Sequence, residues 1–205
     1  MAKIKLTKNE LKKQRDALKT FLRYLPTLQM KKQQLQMEIR GVDAKRRDLR
    51  ERRASLDREF RTWVAVFGEA SALCCPDGRP FVSVAAVRTS RGNVAGVDIP
   101  VFEGADFAVA EYDLFTTPLW VDAAVERLKR MLSLDLEDRV LGEQIARLSD
   151  ELRTTSQRVN LFEKVKIPEA FENIRRIRIS LGDQQIAQVV RGKIAQRKVV
   201  ARTAA

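Results

Sequence analysis

Residues 18–63 read LKTFLRYLPTLQMKKQQLQMEIRGVDAKRRDLRERRASLDREFRTW, and this stretch decides the fold. Two interleaved series run through it and its flanks. The first takes Leu11, Leu18, Leu25, Lys32, Ile39, Arg46, Arg53, Phe60 and Phe67. The second, three residues later each time, takes Gln14, Phe21, Leu28, Leu35, Val42, Leu49, Leu56, Trp63 and Ala70, and it is apolar from Phe21 onward. Alternating steps of three and four keep an apolar seam facing one partner helix, and over several heptads they impose a left-handed supercoil. A helix lying on a globular core would show a broader stripe. The expected seam is Leu18, Phe21, Leu25, Leu28, Leu35, Ile39, Val42, Leu49, Leu56, Phe60 and Trp63. Pro26 falls inside the pattern and predicts a local kink.

A second stretch, from about residue 119 to 200, supplies the partner. Ile145, Leu148, Leu152, Thr155, Val159 and Phe162 keep the same rhythm, and Met131, Leu134 and Leu141 extend it backward. Asp138 and Lys166 interrupt it. Pro168 predicts a kink or short break, because proline lacks the N–H donor and its ring clashes with the preceding turn. Beyond it the pattern is expected to resume with Phe171, Ile174, Ile177 and Leu181. A chain that leaves and returns along itself buries two such seams as an antiparallel pair. The predicted fold class is therefore mainly α: a long antiparallel two-helix coiled coil, with a small β-hairpin insert at the end opposite the termini. The boundaries read as 1–72 for the first helix, 73–117 for the insert and 118–205 for the returning helix. At about 1.5 Å per residue, each arm would reach on the order of 100 Å.

Lys32, Arg46 and Arg53 stand in the first series where Leu or Ile would be expected. Their stems can lie along the seam while their heads reach water. They either fix register or meet another protein chain.

The insert opens with the turn signal Pro76-Asp77-Gly78 and continues with a β-branched run from Phe81 to Ser90, bounded by Arg91-Gly92-Asn93. A second run, Val94 to Phe102, contains Gly96 and Pro100 and predicts a short or edge strand. An isolated two-stranded hairpin is marginal in water, so this one is expected to pack on the helices or on a partner.

Charge is unevenly placed. The 205 residues carry a net +12, with +5 in residues 1–20, +6 in residues 171–205 and −3 in residues 73–117. An antiparallel pair would bring the two basic ends together. Such a surface either neutralises phosphates, making a basic scaffold for nucleic acid, or fits into a cavity of another protein. Few aromatic residues interleave these cations, which weighs against base stacking.

Catalytic signatures are missing. The chain has no histidine, so Ser/His or Cys/His nucleophile pairs cannot be built. Neither a phosphate-cradling Gly-x-x-x-x-Gly-Lys-Ser/Thr loop nor a dinucleotide-binding Gly-x-Gly-x-x-Gly occurs. No cofactor, metal or direct nucleotide binding is expected. The adjacent Cys74 and Cys75 read as reduced thiols in a loop. No apolar run approaches the roughly 18 residues of a transmembrane segment, and the first residues do not resemble a secretory signal. A cytoplasmic location is the expectation.

Three blocks resemble a known family. Leu6-Thr-Lys-Asn-Glu-Leu-Lys12, Asn93-Val-Ala-Gly-Val-Asp-Ile-Pro100 and Arg158-Val-Asn-Leu-Phe-Glu-Lys-Val-Lys-Ile-Pro-Glu-Ala-Phe-Glu-Asn-Ile-Arg-Arg-Ile177 resemble, in order, the D subunit of V-type and archaeal-type rotary ATPases. The third block is the most specific. Lys164-Val-Lys166 and Gly182-Asp-Gln-Gln185 stand where family members often carry a tyrosine and a more acidic stretch. The resemblance implies a non-catalytic central rotor shaft, peripheral to the membrane. Its terminal helices would enter a hexameric head of A and B subunits, the F subunit would bind its side, and its lower end would sit on a funnel-like subunit above the membrane ring. Contacts with the head would then come from the basic terminal segments, through Lys12, Lys13, Arg15, Lys19, Arg191, Lys193, Arg197 and Lys198.

Overall fold

A computed structural model describes residues 4–67, 80, 82–111 and 120–203. The predicted turn at 76–78, Cys74 and Cys75 lie outside these residues, as does the side chain of Trp63. Helix α1 spans Lys8–Phe67, strands β1 and β2 span Val82–Val94 and Val97–Val109, helix α2 spans Val121–Leu161, and a π-helical turn, Phe162–Lys166, leads directly into α3, Ile167–Thr203. The fold is mainly helical, with one small antiparallel hairpin. Two compact units emerge, one of residues up to Lys32 together with those from Thr154, the other of Gln33–Arg153.

In the unit 33–153, α1 and α2 run antiparallel around a thin core. Leu35 and Leu148 are fully buried together with Ile99 of the hairpin. Val42 and Leu49 pack with Leu141, flanked by Leu134 and Ile145. Successive α1 residues at intervals of seven thus meet successively earlier residues of α2, as a heptad seam requires.

The hairpin lies lengthwise beside these helices. Val82 at its base packs with Val121 and Val125, while Val94, Val97 and Ile99 near its tip pack around Leu35, Leu148 and Leu152. This contact supplies the apolar burial that two strands lack alone. The chain reverses at Ala95 and Gly96, with φ of 52° and 80°, as a two-residue hairpin turn with positive φ at both central positions demands. Asn93 Oδ1 accepts from Gly96 N–H at 3.1 Å and fixes the turn. The reversal therefore lies beyond Arg91-Gly92-Asn93, the bound expected for the first strand. Gly92 serves another purpose: a Cβ there would come within 2.9 Å of Val101 Cγ2. β2 is also longer than the short strand expected. Pro100 pairs with Arg91 three registers from the turn, where β2's backbone groups point away from β1, so its missing N–H costs no ladder bond. Gln144 Nε2 of α2 donates to the Pro100 carbonyl, and Arg147 Nη1 donates to that of Asp98 at 3.2 Å.

In the other unit, α1 begins at a threonine N-cap. Thr7 Oγ1 accepts from Glu10 N–H at 3.3 Å, satisfying one of the free donors of the first turn, while Glu10 Oε1 accepts from Gln14 Nε2 at 2.9 Å. Gln14 then accepts from Asn173 Nδ2 at 3.4 Å, and Phe21 stacks on Phe162 with ring centroids 5.3 Å apart. Pro26 is accommodated within continuous helix.

The π turn accounts for the seam beyond Pro168. Ile167 N–H bonds to the Phe162 carbonyl, five residues back, so one extra residue is accommodated within the helix. The buried positions downstream are Ala170, Asn173, Ile174 and Ile177, while Phe171 is 54 % exposed. The pattern therefore resumes on Ala170, and the expectation for Phe171 is corrected. The helix does not break at Pro168. The wide turn ends just before the proline, where the ring would otherwise press on an α-helical carbonyl. Deleting Glu163 should turn this segment into plain α-helix without rotating Ala170 out of the seam. Combined with Pro168→Ala, it should change stability by no more than about 1 kcal/mol. Deleting Gln157 instead rotates everything downstream by about 100° and should cost several kcal/mol. Thermal melts followed by circular dichroism distinguish the two.

Candidate interaction surfaces

The predicted seam residues occupy two grades of burial. Leu35, Val42, Leu49, Leu148 and Val159 are buried, while Leu18, Phe21, Leu25, Leu28, Ile39, Leu56, Phe60, Ile145, Leu152 and Phe162 are half-buried. Sequence reasoning missed Val121, Ala124, Val125 and Val140, together with the buried polar Gln144 and Asn173. Val121 and Val125 face the hairpin, so no heptad count against α1 would select them.

Two of the three cations in the first series, Arg46 and Arg53, find acids on α2. Arg46 Nε donates to Asp138 Oδ1 at 2.8 Å and Nη2 to Oδ2 at 3.1 Å, a bidentate pair. Arg50 Nε shares the same carboxylate at 3.0 Å, and Arg53 Nε reaches Asp135 at 3.1 Å. Asp138, which interrupts the apolar rhythm in sequence, completes it in space. Gly142 leaves room for Arg46, since a Cβ there would stand 3.2 Å from Nη2. The signal lay in the pairing of two interruptions, cations on one helix and carboxylates on the other.

The hydrogen bonds from Arg46, and secondarily from Arg50, hold the Asp138 carboxyl below its ordinary range against a desolvation that pushes it up. Arg46 is correspondingly raised, chiefly by its hydrogen bonds to Asp138. A carboxylate whose folded pKa lies below its unfolded value of about 3.9 contributes stability above that pH, and the contribution is lost as pH falls through the folded value. Asp138→Asn should therefore cost about 1–2 kcal/mol at pH 7, a charge-assisted bidentate pair discounted for partial exposure. Urea titrations of the two proteins should converge as pH falls below the ordinary carboxylate range and through the lowered folded value. A gap that persists in acid would mean that packing, not charge, is lost.

Lys12, Lys13, Arg15 and Lys19 on α1, and Arg191, Lys193, Arg197 and Lys198 on α3, are all exposed. The end of α3 adds exposed apolar side chains, Ile186, Val190 and Ile194, at helical spacing. Cations and unburied aliphatics on one helix mark a surface suited to another protein. Among the described residues, no group of Cys, Asp or Glu is placed to hold a metal ion. No described helix is long and apolar enough to cross a membrane.

These features define a class: a mainly helical protein with a thin apolar seam, one small β-hairpin among the described residues and exposed basic terminal segments. The chain belongs to the ATP synthase D-subunit family, whose model matches residues 10–197. It is 46 % identical over 200 residues to the V-type ATP synthase D subunit of Borreliella burgdorferi, covering 98 % of this chain and 96 % of that one. The corresponding V-type ATP synthase proteins of Chlamydia pneumoniae and Chlamydia felis are 30 % and 32 % identical, each over at least 97 % of this chain and 94 % of their own length.

Proposed function

We propose that this chain is the central rotor shaft of a V-type rotary ATPase, coupling ATP hydrolysis or synthesis in the catalytic head to proton or sodium transport. The observation that carries the reading is the family membership of a chain whose helices carry a thin apolar seam and whose terminal segments leave many cations exposed. A two-helix pair is slender enough to enter a ring of subunits, and it resists twisting better than one helix. The chain itself performs no chemistry; nucleotide and ion sites belong to other subunits. Its partners are the F subunit, the hexameric head of A and B subunits, and the funnel-like subunit above the membrane ring. It works on the cytoplasmic side, peripheral to the membrane.

Torque passes through contacts of the basic arms, Lys12, Lys13, Arg15 and Lys19 with Arg191, Lys193, Arg197 and Lys198, against surfaces of the head. Segment 1–72 and segment 118–205 form the shaft, and segment 73–117 carries the hairpin alongside. A tagged chain purified from nuclease-treated native lysate should retain the A, B and F subunits, identified by mass spectrometry. Their absence, with nucleic acid retained instead, would replace this reading with a basic nucleic-acid scaffold.

The π turn with Pro168 gives the shaft a fixed irregularity that couples its rotation to closure of the head. Pro168→Ala should leave the complex assembled while changing the ratio of ions moved to ATP hydrolysed in reconstituted vesicles. An unchanged ratio would remove the irregularity from the coupling path.

A further inference from the structure

The strongest unassigned feature is a groove between α1 and α3. Its volume is about 870 Å³, and Leu18, Phe171, Ile174 and Ile179 give it an apolar floor beside Pro168. Phe171 and Ile179 are 54 % and 57 % exposed. The π turn is the cause: by passing the seam to Ala170, Ile174 and Ile177, it leaves Phe171 outside the helix pair, and single wide turns of this kind cluster at functional sites.

Three arginines rim the floor: Arg15 from α1, and Arg175 and Arg178 from α3. None of them makes an ion pair among the described residues. Glu172 also lines the groove, but it is bonded to Arg176 Nε at 3.0 Å. The groove therefore couples exposed apolar area to uncommitted positive charge. Each is unfavourable in isolation, the first through contact with water and the second through mutual repulsion. One kind of occupant offsets both.

We propose that this groove is the docking site of an amphipathic helix from another protein of the complex, with apolar side chains laid on Phe171 and Ile179 and carboxylates on its flanks meeting Arg15, Arg175 and Arg178. Helix-in-groove recognition uses apolar anchors at helical spacing in this way, and Arg forms the bidentate carboxylate contacts that fix orientation. A second copy of this chain is a poor fit, because its own arms are basic. Nucleic acid would satisfy the arginines but leave an aliphatic floor uncovered. The proposal deepens the shaft reading and rests on it for the presence of partner subunits.

The test places a benzophenone-bearing residue at position 171 of the full chain in its native cells. The complex is irradiated, treated with nuclease, purified, and the cross-linked peptide sequenced. The expected adduct is a segment of helical apolar periodicity carrying at least two Asp or Glu. Arg175→Glu with Arg178→Glu should lower its yield by more than about tenfold, whereas Arg175→Lys should largely keep it. Adducts on nucleic acid, on a second copy or on a segment without carboxylates would overturn the proposal, as would a yield indifferent to charge reversal. If A and B subunits co-purify but position 171 yields no adduct, the groove assignment fails and the shaft reading stands. If the adduct is an acidic helix of a protein unrelated to the ATPase, the groove stands and the shaft reading fails. Neither adduct nor ATPase subunits would sink both.

Discussion

Burial of one narrow apolar stripe on α1 is the constraint from which the rest of this structure follows. Leu35, Val42 and Leu49 stand in single file at intervals of seven, and the hairpin adds a further layer at Leu35 through Ile99. A file this thin removes little apolar area from water per residue, so it must be long to offset the entropy of ordering the chain. Length in turn magnifies any error of register, since a shift of one residue rotates the stripe by about 100°. Stability and register are therefore one problem here.

Polar groups resolve that problem. Leu against Leu is nearly indifferent to a slip of one heptad, whereas a polar side chain in a seam penalises any slip that separates it from its partner. Gln14 with Asn173 performs this role in one unit, and Arg46 and Arg50 converging on Asp138 perform it in the other. Gln144 extends the same logic to the hairpin through the Pro100 carbonyl. These contacts add little net energy. They select one alignment from several that the apolar residues would accept.

The parts legible in the sequence were those that depend on one helix at a time. Leu35, Val42, Leu49 and Leu148 could be read because a heptad count needs only the chain itself. The basic arms were visible in the charge tally, and the hairpin in its β-branched runs. The parts that misled depend on two segments meeting. Asp138 reads as a flaw until Arg46 lies opposite it. Gly92 reads as a turn until Val101 occupies the space its Cβ would need. Phe171 reads as a seam residue because it is large and apolar, while the small Ala170 holds the position. The π turn that decides between them changes a hydrogen-bond spacing by one residue, and composition carries no trace of that. Its nearest sequence signal is Pro168, which a rule for α-helices reads as a break.

A thin seam also dictates what the outer surface must be. Most side chains on α1 and α3 cannot be buried within the pair, so they either meet water or meet other chains. Water suffices for the cations near each end, yet with +5 and +6 gathered on these two segments their mutual repulsion opposes the pairing of the helices that carry them. Ile186, Val190 and Ile194 add an apolar face that water does not favour. Both costs fall when the arms enter surroundings that supply carboxylates and apolar contacts together. The isolated chain is in this sense incomplete: its seam specifies how the two arms align, and its surface specifies the chemistry of the surroundings in which they are most stable.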